Sequence, residues 1–254
     1  MKATGRPRAE FRRNARVMVE PLPASTVIVA RDAGPEIEVF MLRRSARSSF
    51  MPDVYVFPGG RVDEADRSPA ALERVQGDTA PLEPAYVYAA ARETFEEAGL
   101  LFATSPIEHA ALQAARTAMS RGTLTFEAVL ASFDTSIDAD AFTYFSRWIT
   151  PAIESKRYDA RFFVARAPAE QFAEADAFET EDGRWISPSD ALTQFAAGEF
   201  ALIFPTIKHL ERLAAYPSVD ALIRFAQTKS IVPVMPDVSE ERRFALPAGV
   251  EGSW

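Results

Sequence analysis

The amino-acid sequence predicts a single α/β layered domain. Three observations lead there: β-rich runs bounded by turn residues, helical periodicity between and after those runs, and a globular composition. Of the 254 residues, 48% are hydrophobic, 25% charged and 11% aromatic, which suits one large domain with insertions or two small ones and excludes general disorder.

The elements follow in order. Ser25 to Arg31 and Glu36 to Arg43 are β-rich runs joined by the turn-forming cluster Asp32-Ala-Gly-Pro35, so they read as a hairpin. Val54 to Phe57 is a third short run. It stops at Pro58-Gly59-Gly60, where proline ends ladder pairing and the glycines permit a sharp turn. Residues 67 to 85 hold three prolines and a glycine without a sustained period and read as a loop with at most one helical turn. From Ala85 to about Phe102 the pattern is helical, with Tyr88, Ala91, Phe95 and Phe102 on one face that should meet a sheet. Residues 107 to 133 read as two helices broken at Ser120-Arg-Gly-Thr123. Strand-like Phe142 to Phe145 with Trp148-Ile149, and Ala160 to Ala165, follow. Helices are expected at Pro188 to Ala197, Pro205 to Tyr216 and Val219 to Thr228, and a proline-punctuated tail from Ile231.

Composition removes several function classes. Lys plus Arg is 28 against Asp plus Glu at 36, a net charge of −8, so the chain lacks the overall basic balance of a nucleic-acid binder. With no cysteine, disulfides, thiolate nucleophiles and cysteine-based metal sites are excluded, and a reducing compartment fits. The two histidines, His109 and His209, have no HExxH context and read as surface or core residues. No apolar run reaches the ~18 residues of a membrane helix, so no membrane partner is expected. No GxxxxGK[ST], GxGxxG or GxSxG occurs, which argues against P-loop, dinucleotide-binding and serine-hydrolase readings.

The chemistry-bearing stretch is Ala90 to Leu101. At 100° per residue, Glu93, Glu96 and Glu97 share one helical face, opposite the Phe95 stripe, and Gly99 should end or bend the helix. Like charges at these spacings cost about 0.2–0.5 kcal/mol per pair, and only Arg92, four residues before Glu96, offers compensation. Such a face is either a solvated acidic surface or a platform for a hard divalent cation. Mg²⁺ takes one or two carboxylates together with substrate phosphates.

Together, Phe57-Pro-Gly-Gly60 and Arg92-Glu-x-x-Glu-Glu-x-Gly-Leu100 resemble the Nudix box, with Gly60 as its first glycine and Thr94 where an apolar residue is usual. Asp66 stands in place of the early Glu, and 25 residues rather than seven separate it from Arg92. This interruption resembles the branch with a long insertion inside the box, typified by mammalian peroxisomal coenzyme A diphosphatases. Ser48-Ser-Phe-Met-Pro52, Asp63 with Asp66, Trp148-Ile-Thr-Pro151 and Arg157-Tyr-Asp-Ala-Arg-Phe-Phe163 are similar to that branch as well.

The resemblance implies a Nudix-type α/β/α sandwich with a mixed β-sheet plus helical insertions. The expected boundaries are a basic N-terminal extension over 1–24, the Nudix domain over 25–230, and a C-terminal tail over 231–254. Within the domain, 67–85 would interrupt the box and 104–135 would form a helical insertion. The extension carries Lys2, Arg6, Arg8, Arg12, Arg13 and Arg16 and reads as a solvated basic tail rather than a secretory signal.

The resemblance also implies hydrolysis, dependent on Mg²⁺ or Mn²⁺, of a diphosphate linked to a nucleoside. Glu93, Glu96 and Glu97 would hold the metal and Arg92 would orient the carboxylates, while Gly59 and Gly60 would let the backbone approach closely. Glu179 and Glu181, before Gly183-Arg-Trp185, are either solvated loop acids or the source of a general base, with Glu181 the catalytic choice. Arg43, Arg44 and Arg47 are either ordinary surface arginines or the cations that bind the anionic substrate. Coenzyme A or an acyl-coenzyme A is the expected substrate, giving 3′,5′-ADP and (acyl) phosphopantetheine. ADP-ribose, NADH and dinucleoside polyphosphates are alternatives, and a catalytically silent nucleotide-binding regulator is another. The sequence ends Gly252-Ser-Trp254 rather than in a Ser-Lys-Leu-like address, so cytoplasm is the expected location, with oligomeric state unassigned.

Overall fold

A computed structural model describes residues 19–46, 51–176, 180–250 and 254 of the chain. Arg47, Glu179 and the six cations of the N-terminal extension lie outside the described residues. The chain opens with β1 (Leu22–Ala33) and β2 (Glu36–Arg44), followed by the short β3 (Tyr55–Val56) and β4 (Gly59–Arg61). A 3-10 turn at Glu64–Arg67 leads to α1 (Pro69–Glu73), β5 (Val75–Gln76) and α2 (Pro84–Ala98). Next come α3 (His109–Ser120), α4 (Phe126–Ser132), β6 (Ile137–Asp138), β7 (Thr143–Ile149), β8 (Tyr158–Arg166) and β9 (Thr180–Ile186). The final elements are α5 (Pro188–Ala196), α6 (Phe204–Leu213), α7 (Val219–Thr228), β10 (Pro233–Val234), β11 (Asp237–Val238) and β12 (Phe244–Ala245).

The main sheet is mixed. β1 runs at its centre, parallel to β8 from Leu22↔Tyr158 to Ala30↔Arg166. On its other edge β1 changes partner: Ala30–Ala33 pair with β2, whereas Ala24–Thr26 pair with β4. The hairpin strands therefore diverge, and β3 and β4 occupy the gap, with β3 pairing Leu42 and Arg43 of β2. This divergence brings Gly59 and Gly60 into the middle of the sheet.

Period-2 alternation then assigns the two faces. Val27, Val29, Phe40, Leu42 and Phe163 point into a core beneath α2, α3 and α4. Ile28, Ala30, Ile37, Val39, Met41 and Val164 point into a second core beneath α5, α6 and α7. Two covered faces explain why β1 and β2 read as nearly continuous apolar runs instead of strict alternation. The result is the α/β/α sandwich expected from the sequence.

Several boundaries differ from expectation. The helix expected to reach Phe102 stops at Ala98, because Gly99 adopts φ +71° and its N–H caps the Phe95 carbonyl. Glu181, expected on a loop, lies in a strand, because Thr180–Ile186 form β9 and pair with β2. Its signal was hidden because Asp182-Gly183-Arg184 interrupts any apolar alternation. The insertion at 67–85 contains both α1 and β5, and β5 pairs in parallel with β6, tying this insertion to the chain just after the one at 104–135. The segment expected as a tail from 231 joins the fold: β10 extends the main sheet beside β7, and Trp254 is buried against Trp148 at 5.0 Å between ring centroids. No described helix is long and apolar enough to cross a membrane.

Candidate active site

The site is built where α2 crosses β4. Pro84 occupies the first turn of α2, where its missing N–H costs nothing, and Gly99 closes the other end. The helix buries Tyr88, Ala91 and Phe95 against α4 and the sheet, with Phe95 and Tyr88 both flanking the Phe126 ring. That packing turns Glu93 and Glu97 toward the Gly-Gly segment.

Both glycines are required by contact. The Gly59 N–H donates to Glu97 Oε2 at 2.9 Å. A Cβ on Gly59 would run into the backbone of Ser25 and Thr26, and at φ +154° any side chain would be strained. A Cβ on Gly60 would instead meet the Glu93 carboxylate. The strand thus approaches the acidic helix as closely as a backbone can.

Arg92 organises the carboxylates. Its Nε and Nη2 donate to Asp66 Oδ1 and Oδ2, each at 2.9 Å, while Nη1 donates to Glu93 Oε1 at 2.9 Å and lies 3.5 Å from Glu96 Oε2. Nη2 also donates to the Arg61 carbonyl at 3.0 Å, tying the helix to the end of β4. Asp66 is 1% exposed, and its Oδ2 accepts the Asp63 N–H at 2.8 Å. The position of the early box Glu therefore holds a buried partner for Arg92. Burial works against the Arg92 guanidinium, but Asp66, Glu93 and Glu96 outweigh it and hold its pKa above the ordinary range.

Three carboxylates, Asp66, Glu93 and Glu96, surround this one arginine. Burial pushes the Glu93 carboxyl up to about 7; Arg92 opposes that rise and Glu96 adds to it. Among the described residues no three acidic or histidine side chains converge in a metal-ligating arrangement. The donor set nonetheless suits a hard cation, because Glu93, Glu96 and Glu97 offer only oxygen and carry more negative charge than Arg92 offsets.

The other expected residues separate. Arg43 pairs in register with Tyr55 of β3 and Asp182 of β9 and so shares the face of Met41, beneath α5 to α7. There Tyr55 donates to Asp182 Oδ2 at 2.7 Å and stacks on Phe200 at 3.8 Å. Alternation along β2 thus sets Arg43 on the sheet face opposite the one packed beneath α2. Arg44 continues the β2 edge, with its N–H donating to the Val54 carbonyl at 3.0 Å.

Sequence reasoning missed Arg116 and Gln171. Arg116, from α3, donates to the main-chain carbonyls of Glu96 and Glu97 at 2.9 and 2.7 Å. Gln171 brackets Leu101, accepting its N–H at 2.8 Å and donating to its carbonyl at 2.9 Å. Neither residue carries a local signal, because each acts on backbone atoms 19 to 70 positions distant. His109 is half-buried against Phe172, and His209 is a core residue.

A family model, the NUDT19 Nudix domain, matches residues 69–213, and the chain belongs to that family of Nudix domains. Among curated relatives, the chain is 26% identical over 245 residues to the acyl-coenzyme A diphosphatase NUDT19 of Xenopus laevis, covering 77% of this chain and 64% of that protein. It is 28% identical over 244 residues to the human protein of that name, covering 76% of this chain and 64% of that one. The chain thus spans just under two thirds of these relatives' length. Among solved structures it is similar to a Nudix hydrolase from Alicyclobacillus acidocaldarius, with a TM-score of 0.71 and 28% identity, covering 82% of this chain and 97% of that one.

Proposed function

We propose that this protein hydrolyses the diphosphate of coenzyme A or an acyl-coenzyme A, releasing 3′,5′-ADP and (acyl) phosphopantetheine. The observation that carries the hydrolytic reading is the meeting of α2 with β4, where the Glu93 and Glu97 carboxylates stand against the backbone of Gly60 and Gly59. The coenzyme A part rests on the relatives named as acyl-coenzyme A diphosphatases, at 26% and 28% identity.

In the reaction, the oxygen of a water molecule forms a new bond to one phosphorus and the bridging P–O bond breaks, so that each half leaves as a phosphomonoester. A divalent cation, Mg²⁺ or Mn²⁺, held by Glu93, Glu96 and Glu97, would supply charge neutralisation of the diphosphate and acidify the attacking water. Arg92 and Asp66 hold Glu93 in place, and the Gly59 N–H fixes one oxygen of Glu97. Glu181 on β9 is our choice of general base. The chain that precedes β9 runs beside the end of the carboxylate helix, with the Glu174 N–H on the Ala98 carbonyl and Gln171 bracketing Leu101 just beyond α2, which favours this choice.

The test is incubation with Mg²⁺ or Mn²⁺ and a panel of coenzyme A, acetyl-coenzyme A, ADP-ribose, NADH and diadenosine polyphosphate, with Glu97→Gln as the control. Cleavage of the coenzyme A compounds, lost in the variant, supports the proposal. Cleavage of another member alone removes the substrate and keeps the chemistry. Nucleotide binding without any cleavage replaces the hydrolase with a regulator.

A further inference from the structure

An α-helix leaves its last four carbonyls without donors from its own turns, and a helix that ends inside a protein must find them elsewhere. In α2 these carbonyls belong to Phe95, Glu96, Glu97 and Ala98. Each is satisfied from beyond the helix. Gly99 N–H donates to Phe95 at 3.0 Å, Arg116 Nε to Glu96 at 2.9 Å, Arg116 Nη2 to Glu97 at 2.7 Å, and Glu174 N–H to Ala98 at 3.0 Å.

Arg116 therefore caps the two residues whose side chains are the acidic ones of the last turn. Its guanidinium fork presents two N–H groups in a plane, which matches two successive helical carbonyls in a way that no lysine can. The side chain comes from α3, inside the 104–135 insertion, and the residue is only 8% exposed. Burying a cation against neutral carbonyls is costly unless charge nearby compensates. Burial holds the Arg116 guanidinium below its usual pKa, and Asp176, Glu174 and Glu97 offset part of that cost. Gly99 takes part too: a Cβ there would stand 3.0 Å from Arg116 Nη1, so the residue that ends the helix also makes room for the guanidinium.

The electrostatic consequence is specific to this helix. Carboxylates near a C-terminus face the negative end of the helix dipole, an unfavourable arrangement that a cation at the carbonyls relieves. We infer that Arg116 is a positioning residue for hydrolysis: it fixes the last turn of α2 and offsets its negative end, so that Glu96 and Glu97 stand ready for a divalent cation. This inference rests on the hydrolase reading above. It gives the helical insertion a role in the site, one that acts through backbone atoms.

The experiment is Mn²⁺ titration of the full chain, with thermal unfolding and steady-state kinetics on coenzyme A, for the parent, Arg116→Met, Arg116→Gln and Arg121→Ala. Arg121, exposed at the end of the same helix, is the control. Groups that orient a metal's ligands typically contribute 10–100-fold to affinity or rate, so Arg116→Met is expected to raise the Mn²⁺ Kd about tenfold and lower kcat at least as much, with KM changing less than about threefold. Arg121→Ala should match the parent. A lower Tm with Mn²⁺ Kd and kcat both within about twofold of the parent would overturn the inference and leave Arg116 a purely structural cap. If the Met variant fails to fold, the uncharged, hydrogen-bonding Gln variant decides by the same criterion. A parent protein that neither binds Mn²⁺ nor cleaves any diphosphate removes the hydrolase reading itself, a failure distinct from that of Arg116.

Discussion

Asp66 and Arg92, 26 positions apart in the chain, meet through two parallel hydrogen bonds of 2.9 Å that close a carboxylate on a guanidinium fork. Removing one member of a buried pair strands the other, at a cost of about 3–5 kcal/mol. Asp66→Ala is therefore expected to destabilise the protein by about that amount in chemical denaturation and to release Glu93 from its fixed rotamer, with loss of turnover. Wild-type stability in the variant would show that the pair is dispensable.

The two box glycines should separate stability from activity. Gly59→Ala places a methyl group against the backbone of Ser25 and Thr26 at a strained φ, so it is expected to lower Tm markedly. Gly60→Ala places it against the end of the Glu93 side chain, which can swing away. That variant should fold with Tm near the parent value and lose about 100-fold or more in kcat. Equal effects of both substitutions on Tm would contradict this division.

His209 makes stability depend on pH. The Pro205 carbonyl can only accept, so Nδ1 donates to it at 2.7 Å and Nε2 accepts from the Ser146 hydroxyl at 2.7 Å, which fixes a neutral imidazole. Complete burial pushes its pKa down from 6.5 to about 3, with Lys229 and Arg212 adding to the fall and the Pro205 bond opposing it. Between those values the unfolded chain takes up a proton that the folded protein refuses. This contribution to stability is whole above pH 6.5 and declines as pH falls, at about 1.4 kcal/mol per unit. Urea unfolding at pH 7 and pH 5 should show a loss about 2 kcal/mol smaller in His209→Gln than in the parent; an identical loss in both would remove His209 as the cause.

Trp254 seals the same core. Its ring lies 5.2 Å from His209 and 5.0 Å from Trp148, with the Arg212 guanidinium over it at 4.8 Å. Trp254→Ala is expected to cost about 3–5 kcal/mol by differential scanning calorimetry while leaving KM unchanged, because the cavity opens on the sheet face opposite Glu93. A loss below about 1 kcal/mol would mean that the tail contributes little to the core.

What the sequence determined by itself is local. The spacing of Glu93, Glu96 and Glu97 places them on one face, Gly99 ends their helix, and Gly59 and Gly60 mark a close approach, all of which follow from helical period and backbone permissiveness within a dozen residues. The layered fold was legible for the same reason, since Val27 to Ala30 and Phe40 to Leu42 carry apolar side chains to both faces. Only the tertiary structure decided that β9 is a strand, that Arg43 shares the face of Met41 and Tyr55, and that Trp254 closes a core. It alone joined Asp66 to Arg92 across an insertion and Arg116 to the end of α2. These depend on which distant backbone atom or buried carboxylate a polar side chain meets. Hydrogen bonding across tens of residues leaves no periodic trace in the chain, because its partners are chosen by the packing of whole elements.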